Sequence, residues 1–235
     1  APVRQSASHN ETVAQPVSQP QPETAAPAPD VFTTEATPIW QSMNLGERTQ
    51  GGSTMQMGGT MIVQGTGTDM WKGGDCCRFV WTKVLGNYIF SAQLKAIASG
   101  HTSALTGLLI KGEDPAHSPG LLFGFLGSGE LFLQVRQQNG RNVVVRRSDA
   151  PVLPPRFLKI MRRGHAFEAY VSADGHAWEP FASCELELAD LNKVGFAVTA
   201  HIPDALATAK ISDIRLLTPI PPAASQANGT QAVSP

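Results

Sequence analysis

The stretch E-L-E-L-A-D at residues 185 to 190 is the first place to look for catalysis. Alternate residues of an extended strand project from one face, so Glu185 and Glu187 would stand side by side. Two carboxyl groups about 5 to 5.5 Å apart are what a retaining glycosidase uses, one as nucleophile and one as acid. Leu186 and Leu188 would then take the opposite face, and the same hexapeptide reads equally as an amphipathic edge strand running into a turn. That plainer reading is the expectation, so no catalytic residue is assigned.

Binding without catalysis needs less. Aromatic rings stack on sugar rings, and Trp71, Trp81, Tyr88 and Trp178 are the candidates for such a role; each could equally serve as a core or rim residue. Trp178 closes the run S-A-D-G-H-A-W, where Asp174-Gly175 reads as the type I′ corner of a β-hairpin. The histidines at 101, 117, 165, 176 and 201 show no His-x-His spacing, so no metal site is expected from them. Gly65-x-Gly67 lacks the following helix and Lys-Ser/Thr of a phosphate cradle and reads as a glycine turn. Of the cysteines, Cys184 could pair with Cys76 or Cys77, or all could be small buried residues; strand neighbours point to opposite faces, so only one of the vicinal pair can meet Cys184.

The elements that would position these residues are strands. Only 16% of the 235 residues are charged, while 22 Gly and 18 Pro punctuate the chain at short intervals. Apolar-rich segments recur at 61–64, 77–84, 88–96, 104–111, 120–126, 131–137, 142–147, 157–162, 166–172, 177–181, 184–188, 194–199 and 207–217, with no amphipathic helix among them. So many antiparallel strands must form two packed sheets, since one open sheet would expose an apolar face. The fold expected is an all-β, two-sheet antiparallel sandwich at 37–218, flanked by a Pro/Ala/Gln-rich tether at 1–36 and a low-complexity tail at 219–235. A net charge of -1 gives no broad attraction for nucleic acid. The arginines at 136, 141, 146, 147, 156, 162 and 163 are expected on solvated strand faces and loop ends. The A-P-V start ahead of a Pro-rich leader fits removal of an export signal and fits removal of an initiator Met equally; a periplasmic or extracellular location is the expectation.

Several stretches taken in order resemble a known family. They are G-T-G-T-D-M-W at 65–71, D-C-C-R-F-V-W at 75–81, G-N-Y-I-F-S-A-Q at 86–93, T-G-L-L-I-K at 106–111, P-P-R-F-L-K-I-M-R-R-G at 154–164, V-G-F-A-V-T-A-H at 194–201 and A-K-I-S-D-I-R-L at 209–216. Together with S-A-D-G-H-A-W they look like the DUF1349-like domains of the concanavalin A-like, laminin G-like jelly-roll superfamily. The resemblance implies a jelly roll used as an exported module. Its members tend to have Gly-Asp-Gly where this chain has Gly86-Asn87-Tyr88, and Arg in place of Lys111. No cofactor is expected, although the resemblance admits Ca²⁺ at a loop, with Asp69, Asp75, Glu113 or Asp114 supplying oxygens. The function expected is a non-catalytic interaction module, an accessory or structural subunit of a cell-envelope complex that contacts protein partners through 1–36 and 219–235. A carbohydrate-binding module is the alternative, and a glycoside hydrolase using Glu185 and Glu187 comes third.

Overall fold

The protein is described by a computed structural model that covers residues 32–46, 51–68, 70, 75–114, 117–137 and 141–219. The expected sites at Asp69 and Trp71 lie outside the described residues. The described residues form fifteen strands and no helix, hence none that could cross a membrane. They are β1 (Phe32–Glu35), β2 (Gln41–Leu45), β3 (Gly52–Met57), β4 (Thr60–Gly67), β5 (Cys77–Leu85), β6 (Tyr88–Ala98), β7 (Leu105–Lys111), β8 (Gly120–Leu126), β9 (Leu131–Arg136), β10 (Asn142–Arg147), β11 (Arg156–Arg163), β12 (Ala166–Ser172), β13 (Glu179–Glu185), β14 (Leu191–Thr199) and β15 (Ile202–Pro219).

They assemble into two antiparallel sheets. Sheet A runs β13-β12-β11-β6-β15-β4-β3, with β1 added against β15, and sheet B runs β10-β9-β8-β7-β14-β5-β2. Alternation decides what each strand gives to the space between them: from β6, Tyr88, Phe90, Ala92 and Leu94 enter the inter-sheet core, while Ile89, Ser91 and Gln93 fall on the other face. Facing them from sheet B are Val80, Leu108, Phe123, Leu133 and Phe196. Sheet B is apolar on its outer face too, where Cys77, Phe79, Trp81, Leu109, Leu122 and Phe132 make a second cluster. That explains the unbroken apolar runs of β7 and β8, which a sheet covered on one side would not need.

Three strands precede the expected series, and β1 falls inside the stretch read as tether. Segments 177–181 and 184–188 merge into β13, which ends at Glu185. The expected turn at Gly65-x-Gly67 is instead the end of β4; a Cβ on Gly65 would lie 2.1 Å from the Val198 carbonyl oxygen, so a side chain there would break the backbone contact between the sheets. The arginines are not all solvated: Arg162 is 1% and Arg136 4% exposed. Arg162 donates to the carbonyls of Gly164, Leu188, Ala189 and Asp190 and to Asn192 Oδ1, fastening the segment after β13 to the end of sheet A.

Candidate functional site

The outer face of sheet A carries a trough of about 470 Å³. Its floor is Ile89, Ser91 and Gln93 of β6, the outward residues of a strand whose other face is fully buried. One wall is Phe157 and Lys159 of β11, and the other is Asp213, Arg215 and Leu217 of β15. Cross-strand register fixes this layout, with Arg215 opposite Ser91 and Ser91 opposite Lys159. The β15 ladder is interrupted between Ser212 and Arg215, where Asp213 takes a φ of 48°, and this irregularity re-aims the wall's side chains.

The loop between β12 and β13 closes one end of the trough with Asp174, Gly175, His176 and Trp178. The expected type I′ corner is not what forms. Gly175 has φ 80°, but Asp174 is not in the left-handed region that such a turn requires of both central residues. The reason is its side chain: Asp174 Oδ1 accepts from the amides of His176 (2.8 Å) and Ala177 (2.9 Å) and from Ser172 Oγ (2.9 Å), stabilising a wider loop. These bonds, the His176 amide foremost, lower the Asp174 pKa from 3.8 to about 2. Ser172 Oγ in turn accepts from the Gly175 amide at 2.9 Å. A Cβ on Gly175 would meet the Phe157 ring at 3.0 Å, so only glycine lets the loop come down onto β11.

That closure brings Trp178 edge-on to Phe157, with ring centroids 6.5 Å apart at 81°. Lys159 Nζ lies 4.2 Å from the Trp178 ring centroid and 4.4 Å from that of Tyr170. Burial pulls the Lys159 pKa down, with the charge of Glu168 opposing. Tyr170 donates its hydroxyl to that same Glu168. The trough thus presents a half-buried indole, hydroxyl and amide groups, and both signs of charge within one concavity.

The other sequence candidates are placed differently. Tyr88 is fully buried in the inter-sheet core, its hydroxyl 3.4 Å from Asn192 Oδ1, so it cannot meet a sugar. Trp81 is 6% exposed in the outer cluster of sheet B, with Lys193 Nζ 5.2 Å from its ring centroid. Glu185 ends β13 and Glu187 follows outside any strand; both are exposed, and neither lines the trough, while Leu186 and Leu188 are buried. Of the two alternatives open for the cysteines, a bridge of Cys184 to Cys76 or Cys77 does not form: all three are free thiols, with Cys77 in the outer cluster of sheet B and Cys184 against the inter-sheet core from β13. Asp75, a candidate Ca²⁺ ligand, has instead two cations, Lys111 Nζ at 2.7 Å and Arg136 Nη2 at 2.9 Å, and is itself wholly buried. Among the described residues no three His, Cys, Asp or Glu side chains converge to hold a metal.

A second cleft, about 440 Å³, lies on the outer face of sheet B among Leu105, Phe132, Gln134, Asn142, Arg147 and His201. Among its described lining residues the one carbocyclic ring, Phe132, is only 2% exposed, so these residues present no phenyl or indole face for stacking. The trough of sheet A is the better binding candidate for that reason. Sequence alone singled out Trp178; Lys159, Ser91 and Arg215 were beyond it, because their meeting depends on strand register.

No family model matches the sequence, and no curated protein sequence matches it. Among solved structures, a functionally unknown protein from Saccharomyces cerevisiae superposes with a TM-score of 0.60 at 15% identity, over 77% of this chain and 97% of that one. The carbohydrate binding module CBM66 from Bacillus subtilis superposes with a TM-score of 0.52 at 13% identity, over 76% and 95% of the two chains. The GH43 BlXynB protein from Bacillus licheniformis gives 0.52 at 13% identity, but this chain covers 32% of its length. What these likenesses share is the fold, and the chain is an all-β, two-sheet jelly-roll sandwich.

Proposed function

We propose that the domain is a non-catalytic carbohydrate-binding module whose site is the Trp178 trough. The observation that carries this reading is the half-buried indole set into the end wall of a concavity with Ser91, Gln93, Asp213 and Arg215 within it. An apolar ring beside hydrogen-bonding groups matches the two faces of a pyranose, whose C–H bonds stack while its hydroxyls seek donors and acceptors. The fold it shares with a carbohydrate binding module supports the reading. Glu185 and Glu187 lie outside the trough, which favours a polysaccharide that is held over one that is cut. An extracytoplasmic location and kinship with the DUF1349-like domains belong to the same proposal.

Affinity electrophoresis of the full chain through gels containing a panel of polysaccharides tests it. At least one polymer should retard the protein, and Trp178→Ala should weaken that affinity roughly 10- to 100-fold, the scale of one lost aromatic contact. No reducing ends should accumulate on incubation with the bound polymer. Retardation unchanged by Trp178→Ala would sink the assignment to this trough. Protein partners contacted through 1–36 and 219–235 remain a separate proposal, which native co-purification tests.

A further inference from the structure

The charges in the trough are unevenly engaged, and this bears on which glycans fit. Arg215, Ser91 and Lys159 stand in register on three adjacent strands, β15, β6 and β11. Two strand spacings separate the cations' backbones by about 10 Å, and the short serine between them leaves the space open. Neither cation forms an ion pair with an acid of the trough. The acids, by contrast, each hold hydrogen-bond donors of the protein itself. Asp174 Oδ1 holds three donors, and Asp213 Oδ2 accepts from Ser212 Oγ at 2.8 Å. Glu168, the acid nearest Lys159 on the flanking strand, receives the Tyr170 hydroxyl.

Resting on the carbohydrate reading above, we propose that the trough selects acidic glycans, with Arg215 and Lys159 gripping one uronate carboxylate from either side of Ser91. Arg215 offers a planar fork that a carboxylate can meet with two oxygens. Lys159 brings its charge to the aromatic wall itself, 4.2 Å from the Trp178 centroid. A uronate carries its carboxylate at the ring's edge, so a sugar seated beside Trp178 can reach both cations without leaving the wall. The arriving carboxylate adds to the counter-charge that Glu168 gives the half-buried ammonium from the flanking strand.

The test is titration calorimetry of the full chain at low salt with oligosaccharides of galacturonate, glucuronate and mannuronate, each beside its carboxyl-reduced counterpart. At least one acid should bind about 10-fold or more tightly than its reduced form, and this preference should shrink with added salt. Arg215 is exposed and makes no ion pair among the described residues, so Arg215→Gln should fold normally, weaken the acid far more than its reduced counterpart, and so cut the preference to about 2-fold or less. If no acid outbinds its reduced counterpart, or if Arg215→Gln keeps the preference, the inference is overturned while Trp178-dependent binding of neutral sugars still upholds the carbohydrate reading. If dextran sulfate competes as well as the best uronate, the cations are a non-specific patch and the inference is equally overturned. Absence of Trp178-dependent binding to every sugar would overturn both.

Discussion

Replacing Asp75 by Asn tests how the outer face of sheet B is held closed. Asp75 and Lys111 are wholly buried and Arg136 nearly so, and the carboxylate bonds both cations while Lys111 also donates to the Ser118 carbonyl at 2.7 Å. Asparagine keeps the shape and one acceptor but removes the negative charge that two buried cations share. Breaking a buried ion pair in this way costs about 3 to 5 kcal/mol. A domain of ordinary stability has about 5 to 15 kcal/mol in total, so the variant should fold but be conspicuously weakened. With a urea slope of about 2 kcal/mol/M, the unfolding midpoint followed by tryptophan fluorescence should fall by roughly 1.5 to 2.5 M. The loss should also depend on pH. Burial already lowers the Lys111 pKa, and Asp75 is what opposes that shift. Without Asp75 the folded-state pKa drops further, so Lys111 sheds its proton earlier, and the deficit should shrink as pH rises towards the ordinary lysine value of 10.5. Lys111→Met in the same chain should recover at least about 1 kcal/mol by removing one of the two buried cations. A midpoint shift below about 0.5 M with no pH dependence would refute the claim that this triad is a mutually dependent buried unit.

Three further outcomes are expected. Gly175→Ala combines a positive φ with contact against Phe157, so it should cost roughly 1 to 2 kcal/mol in thermal or chemical unfolding and weaken glycan retention by displacing Trp178; an unchanged Tm would contradict the close approach. Asp174 has a folded pKa below its ordinary 3.8, so its support of the loop is complete above that pH and is lost as pH falls towards about 2; the amide shifts of His176 and Ala177 in NMR should titrate near the lower value and not near 3.8. Burial raises the Cys184 thiol to about 11, with Glu185 adding to it, and pushes Cys77 well up; iodoacetamide at pH 8 should therefore leave both essentially unmodified in the native protein by mass spectrometry, and rapid labelling of Cys77 would mean that sheet B opens.

Period-two alternation made much of the sandwich legible. The bounds of β8, β10 and β12 follow directly from G-L-L-F-G-F-L, N-V-V-V-R-R and A-F-E-A-Y-V-S. The strands Q-S-M-N-L and G-S-T-M-Q-M escaped notice because they lie at sheet edges, largely exposed, and need no apolar face. Trp178 could be singled out by residue type. Its cleft could not, since Lys159 and Arg215 belong to strands distant in sequence that only the register through Ser91 brings together. Tyr88 misled for a related reason: which face of β6 turns inward is decided by the partner sheet, not by the tyrosine. The loop at Asp174 was legible as a loop, while its form depended on three hydrogen bonds to one carboxylate oxygen.

Strand β1 lies antiparallel to the end of β15, with Phe32 opposite Pro219. Entry to and exit from the sandwich are therefore neighbours, although almost the whole domain separates them along the chain. A domain with adjacent ends can hang from a longer polypeptide as a pendant without spreading the segments on either side. Tension on those two segments meets at this short pairing and unzips it one bond after another. Leu217 of the trough wall lies opposite Glu35 of β1, while Arg215 sits farther along β15, so the same pull would have to consume the pairing of β1 before it reached Arg215. The anchoring end can in this way yield under load while a ligand is still held.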